Sequence, residues 1–394
     1  MDGQQIGIIA LIKSALTGEK AEVSENFDWN NALNTAKEHQ ITPLIYYGVR
    51  YSGLEPPSEI MQFLELATYK NIAVSQNQLY ALEGIYKAFD ENEIDYMPLK
   101  GSVLKFVYPK PEMRAMGDAD ILVKQEQYNK IRAVMTELGF KEIRESDHEL
   151  VWNKKGILYV ELHKRLIPSY NKDYYAYYGN GWQLSKPCSD KAGRFELTAE
   201  DQMIYLFTHF SKHYRNAGIG IRHMVDLWVY RQSQKNSDEA YIRRELEKLQ
   251  LYSFYQNVVA TLAVWFEGAK ETEISEFITD FIFNSGVYGT HETRILAGTY
   301  RQSKSIENIK SIRIINSVKV VFLPYSHMKK KYPALIKFPF LLPIFWIVRA
   351  FDVLLFKRKQ ISTQIEDFKA TNGKNISDYG NALKFVGLDF NFKE

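Results

Sequence analysis

Between residues 94 and 166, a chain that elsewhere reads as helix carries five short β-patterned runs, and this interruption constrains its fold most. The runs IDYMPL, DADILV, KEIRE, HELVWNK and ILYVELHKRL read as strands. Between the first two, GSVLKFVY reads as a short helix. QEQYNKIRAVMTELGF then reads as an amphipathic helix closed by Gly139. NKKG, at 153–156, makes a hairpin turn between the last two strands. A strand–helix–strand–helix unit running into a meander requires a small mixed sheet with helices on one face. The expected class is α+β. An N-terminal helical region at 1–93 and a C-terminal helical region at 197–394 flank an α/β core at 94–196.

The flanks carry their own signals. Asp28 caps a helix with apolar residues at Trp29, Leu33 and Ala36, and EPPSE at 55–59 opens the next. A further helix is expected through QNQLYALEGIYKAFDENE. TAEDQMIYLFTHFSKHY has a threonine cap with Glu200 and Asp201 in its first turn, where negative charge suits the helix dipole. A net charge of +3 is too small for a dedicated nucleic-acid binder. The one cysteine, Cys188, excludes an intrachain disulfide and a cysteine zinc site, implies no disulfide-linked partner, and fits a reducing cytoplasm. The N-terminus lacks the basic start and cleavage site of a signal peptide and reads as an amphipathic helix.

The most apolar stretch, FPFLLPIFWIV at 338–348, holds two prolines and is followed by Arg349. It falls short of the roughly 20 residues a membrane span needs. The basic and apolar segment 329–359 has two readings: a peripheral contact on an anionic membrane surface, or a helix pair packing its apolar face on the protein. Packing is the favoured expectation, because apolar runs in soluble chains are mostly core.

In a strand, residues i and i+2 share a face, so Asp118 and Asp120 project together from an apolar run. Carboxylates this close repel unless a cation joins them or one keeps its proton. Glu161 alternates with Val160 and Leu162 on a later strand, with His163 on its own face. Three such acids can hold two metal ions. Taken alone, a D-x-D pair is common on solvated strand edges. Here Lys100-Gly101-Ser102 precedes it, a turn from strand to helix whose backbone N–H groups and Ser102 hydroxyl can face an anion.

This combination resembles the polymerase-beta-like nucleotidyltransferase superfamily, whose pattern is Gly-Ser, a spacer, Asp-x-Asp and a third acid on a later strand. More closely, it is similar to the bacterial family of uncharacterised nucleotidyltransferases in Lys100-Gly101, Arg114, Gly117-Asp118, Asp120 and Glu161-Leu162-His163. The resemblance implies transfer of a nucleoside monophosphate from an NTP to an acceptor hydroxyl, with Mg²⁺ or Mn²⁺ and release of pyrophosphate. It gives Asp118, Asp120 and Glu161 the catalytic and metal-binding roles, and Lys100, Gly101, Ser102 and Arg114 the nucleotide phosphates. One departure is the spacer: fifteen residues separate Ser102 from Asp118. If it loops over the phosphates, Arg114 clamps them. The acceptor stays open among small molecules, sugars, nucleic-acid ends and proteins. The alternatives are a two-metal phosphodiesterase or nuclease, and a non-catalytic binding or antitoxin-like module.

His209 and His213 share a helix face, but Phe210 and Ser211 stand where the zinc-protease motif needs its glutamate. With Arg222 and Asp226, they are expected either to wall the substrate cleft or to pair in a buried polar network.

Overall fold

The computed structural model describes residues 1–189, 191, 193–216, 218–286, 291–303, 322–356 and 373–388. Its centre is a five-stranded sheet. β1 (Tyr96–Leu99) is followed by the one-turn helix α1′ (Gly101–Leu104), β2 (Asp118–Val123), β3 (Lys141–Glu145), β4 (Glu149–Lys154) and β5 (Leu158–His163). The strand order is β1-β2-β5-β4-β3, and only β2 and β5 run parallel. A helix at Tyr128–Glu137 makes the crossover between β2 and the meander.

Alternation gives the sheet two unlike faces. Tyr96, Ala119, Ile121, Val123, Trp152, Val160 and Leu162 turn one way, onto Ile85 and Phe89 of the helix Ser58–Glu91 and Ile131 and Met135 of Tyr128–Glu137. That is the core, with helices on one face as the pattern requires. The opposite face carries the acids: in register, Asp118 lies opposite Tyr159, Asp120 opposite Glu161, and Leu122 opposite His163.

Before the sheet come helices Gly3–Thr17, Trp29–Glu38 and Thr42–Ser52, the second capped by Asp28 as expected. Gly48 is required where the third helix crosses the first, because a Cβ there would strike the backbone of Leu11. Two helices expected between 58 and 91 are one continuous helix of 34 residues. After the sheet, a two-stranded ribbon (Ser185–Pro187 with Phe195–Leu197), absent from the sequence reading, leads to the helix Ala199–Asn216. Thr198 caps that helix, accepting from the Asp201 N–H at 3.0 Å. Helices Ile221–Ser233, Glu239–Lys248, Tyr252–Phe266 and Glu273–Phe283 follow.

Among the described residues, the chain divides into two compact units. The first comprises 1–214, 218–288 and 386–394, and the second 215–217 and 289–385. The expected boundaries at 93/94 and 196/197 both fall within the first. The second unit holds helices His291–Ser303, Tyr325–Lys331, Ala334–Lys337, Leu342–Phe356 and Gly373–Phe385. Among the described residues, no helix is long and apolar enough to cross a membrane. The end of the basic and apolar segment, 357–359, lies outside the described residues, as do 287–290, 304–321, 357–372 and 389–394 of the expected C-terminal region.

Candidate active site

Asp120 is the most constrained acid on the polar face of the sheet. Its carboxylate is buried, and one oxygen, Oδ1, accepts from both Lys100 Nζ (2.7 Å) and His163 Nε2 (2.7 Å). With Nε2–H donating, His163 Nδ1 accepts from His148 Nε2 at 3.2 Å. Burial alone would raise the Asp120 pKa; the Lys100 ammonium and His163 outweigh it and hold the carboxyl well below its usual range. Burial works against the charge on Lys100 too, and Asp120 keeps that ammonium firmly protonated.

Asp118 starts β2 at the open end of the strand. Its carboxylate makes no hydrogen bond or ion pair with the described residues, and although solvent reaches it, protein crowds it on several sides. That crowding, and then the charge on Asp120, raise its pKa. Glu161 is pushed up to about 7, first by burial and then by Asp118, Glu149 and Asp120. Ligand atoms of Asp120, Glu161 and His163 lie within 4.8 Å of one another, as do those of His148, Glu149 and His163. Because both donors to Asp120 among the described residues use Oδ1, its Oδ2 is left for a cation. The residues present fit a divalent ion.

The turn before the acids is tighter than the sequence implies. Lys100 adopts φ 44° and ψ −115°, positive-φ backbone that costs a lysine roughly 1–3 kcal/mol. This bend swings its side chain across β2 to Asp120. Gly101 follows, and a Cβ there would lie 2.7 Å from Arg114 Nη1. Ser102 corrects an expectation. Its side chain is buried behind the turn, beside Tyr86 of the core, and does not line the cleft, so its hydroxyl is not presented to a phosphate.

Arg114 corrects another. The long spacer is pinned rather than loose. Lys105, itself buried, donates to Ser75 Oγ (2.9 Å) and to the carbonyls of Pro111 (3.0 Å) and Arg114 (2.9 Å). Gln78 Nε2 holds the Met116 carbonyl at 2.9 Å, and the Tyr47 hydroxyl donates to Glu112 at 2.6 Å. The Arg114 guanidinium donates two bonds to Asp226, Nε to Oδ1 at 3.2 Å and Nη2 to Oδ2 at 3.0 Å. Tyr108 donates to the same carboxylate at 2.7 Å. Arg114 therefore forms cleft wall under Gly101, with its charge already matched, and is not a free clamp. Arg222 likewise supports the spacer, donating to the Ala115 carbonyl at 3.2 Å.

The facing wall comes from the helices Ala199–Asn216 and Ile221–Ser233. His209 and His213 contact each other through Nε2 at 3.1 Å, and His223 stacks on His213. Burial, first of all, drives the pKa of each well below the usual histidine value, so these rings stay neutral. Among the described residues, no third ligand joins His209 and His213 in a group that would hold a metal.

Of the twelve residues expected at the site, all but Ser102 line one cleft of about 370 Å³. Lys212, His148, Glu149 and His223 also line it and were missed. Lys212 was within reach of the sequence, because it lies at i+3 from His209 on the same helix face. Its ammonium makes no hydrogen bond or ion pair with the described residues. Burial and Lys100 lower its pKa to about 8, while Asp120, Glu149 and Glu161 oppose them.

A family model described as an uncharacterised nucleotidyltransferase matches residues 25–267, a span that holds the whole sheet and cleft. No curated protein matches. A solution structure of the antibiotic-resistance factor ANT(2'')-Ia is similar at 13% identity, covering 48% of this chain and 97% of that one. Its TM-score of 0.33 is too low to align individual residues.

Proposed function

This chain belongs to the uncharacterised nucleotidyltransferase family, and we propose that it moves a nucleoside monophosphate from an NTP to an acceptor hydroxyl at the cleft holding Asp118, Asp120 and Glu161. The observation that carries this reading is the parallel register of β2 on β5, with Asp120 beside Glu161 and Asp118 at the open end. In the reaction the acceptor oxygen bonds to the α-phosphorus, the bond to the bridging oxygen breaks, and pyrophosphate leaves with the electron pair. Glu161, ionised once a cation is bound, takes the acceptor's proton as general base. Lys212 and the backbone N–H of Gly101 meet the phosphates, where charge-assisted hydrogen bonds stabilise the developing negative charge. Asp118, Asp120 through Oδ2, and Glu161 are the residues to hold a divalent cation, Mg²⁺ or Mn²⁺, which supplies Lewis-acid polarisation of the phosphoryl oxygens. An NTP substrate and a single cysteine both fit a cytoplasmic setting.

The test is purified protein with each of the four NTPs and Mg²⁺ or Mn²⁺, following labelled monophosphate onto sugars, small molecules, nucleic-acid ends and proteins, itself included. Cation-dependent labelling with release of pyrophosphate is expected. Hydrolysis of a generic phosphodiester without NTP would point to a phosphodiesterase instead. NTP binding with no turnover of any acceptor would point to a binding module.

Two further outcomes follow from the cleft. Lys212→Ala should weaken NTP binding by about 1.5–3 kcal/mol, roughly tenfold to a hundredfold, as for other charge-assisted contacts. Its melting temperature should not fall, because that ammonium makes no hydrogen bond or ion pair with the described residues and its burial works against its charge. Unaltered nucleotide affinity in this variant would move the triphosphate away from this wall.

The second outcome concerns Glu161. Its folded pKa lies above the usual carboxylate value of 4.5, so without a cation the fold loses stability as the pH rises from 4.5 toward about 7. Binding Mg²⁺ with a non-hydrolysable NTP near pH 6 should therefore release a proton that Glu161→Gln does not release. Calorimetry in two buffers of different ionisation enthalpy reads this difference. Equal proton release from both proteins would take Glu161 out of the ligand set.

A further inference from the structure

The helix Leu342–Phe356 of the second unit is apolar except for Arg349 and Asp352, and over its described side chains, 342–351, only one face is covered. Phe345 packs on Tyr332, Trp346 packs edge-on against Phe322, and Trp346 Nε1 donates to the Leu323 carbonyl at 2.8 Å. The other half is open: Ile344 is 56% exposed, Ile347 58%, Val348 41% and Phe351 61%. These positions follow i, i+3, i+4 and i+7, one unbroken stripe. Phe340, at 75%, and Phe338 and Ile336 extend the apolar surface just ahead of it. The helix contacts Phe322, Leu323 and Tyr332 of the same unit, and these contacts leave the stripe exposed.

The segment that carries the stripe is net basic. Residues 322–356 contain five basic side chains (Lys329, Lys330, Lys331, Lys337 and Arg349) and one acid, Asp352, which sums to +4. Lys329, Lys331 and Lys337 are exposed. The helix has 15 residues. At about 1.5 Å each it is roughly 22 Å long, short of the roughly 30 Å of a bilayer core.

We propose that this stripe docks in the plane of an anionic phospholipid surface, its apolar side chains at the acyl boundary and its lysines among the headgroup phosphates. An exposed apolar face rich in aromatics, on a helix too short to span and in a segment of net basic charge, is the composition of an interfacial anchor. A contiguous exposed apolar surface also calls for a covering partner, and the excess of basic charge selects lipid phosphate over a neutral protein groove. The inference stands apart from the nucleotidyl-transfer reading.

The test uses the full-length protein with vesicles of phosphatidylcholine alone and of phosphatidylcholine with phosphatidylglycerol, read by co-sedimentation. Binding to the anionic vesicles should exceed binding to the neutral ones by about tenfold or more, and high salt should remove most of the preference. Ile347→Glu with Phe351→Glu should abolish binding at an unchanged melting temperature, since both side chains already face water. Lys331→Glu with Lys337→Glu should remove the preference for anionic lipid. The proposal fails if neither vesicle binds, or if either double variant binds as the wild type does. It fails too if the wild type is a dimer that Ile347→Glu with Phe351→Glu makes monomeric, which would assign the stripe to a second copy.

Discussion

Asp120→Asn and Asp118→Asn should each lower nucleotidyl transfer by about a thousandfold, the scale of losing a group that organises transition-state charge, yet move stability in opposite directions. Asp120 is the buried counter-charge of Lys100 and the acceptor for His163. Its folded pKa is depressed, so it contributes stability that is present above the usual carboxylate pKa and lost as the pH falls. Asparagine there leaves the Lys100 ammonium buried without its partner, and the variant should melt below the wild type. Asp118 is the reverse case. Its pKa is raised, so the ionised form works against folding at neutral pH, and removing that charge should leave the melting temperature equal or higher. Adding Mg²⁺ with a non-hydrolysable NTP should raise the melting temperature of the wild type and of neither variant. If Asp118→Asn melts well below the wild type, or cation and nucleotide leave the wild type unmoved, the acids are structural.

Arg114→Ala should destabilise the protein by about 3–5 kcal/mol, the cost of stranding one partner of a buried ion pair. The stranded group is the Asp226 carboxylate, left with the Tyr108 hydroxyl as its remaining donor among the interactions described. Replacing the pair together, Arg114→Met with Asp226→Leu, should recover most of that loss. Urea unfolding of the single and double variants reads both effects. An Arg114→Ala protein of wild-type stability and weakened NTP affinity would instead restore the loop-clamp reading.

The contrast among these residues explains what the sequence could disclose. The polar face of the sheet was legible because period-two alternation is local: once 118–123 and 158–163 are strands, Asp118, Asp120, Glu161 and His163 must share faces with their i+2 neighbours. Arg114 was misread because its partner Asp226 lies 112 residues away, on a helix whose approach nothing local specifies. Ser102 was misread for a smaller reason. On a helix of four residues, composition does not decide which side of the turn a hydroxyl takes, and here the core took it. The ribbon at 185–187 and 195–197 escaped notice because three-residue strands carry too little pattern.

The bend at Lys100 bears on the order in which ligands arrive. Glycine would adopt that backbone without strain, but only a lysine brings an ammonium to Asp120. A divalent ion entering alone would meet this resident positive charge beside its proposed ligands, so its affinity is expected to be low. A triphosphate meets the same charge, together with Lys212, as attraction. The cation and the nucleotide are therefore expected to enter as one complex, with neither saturating the cleft at the concentration that suffices for both.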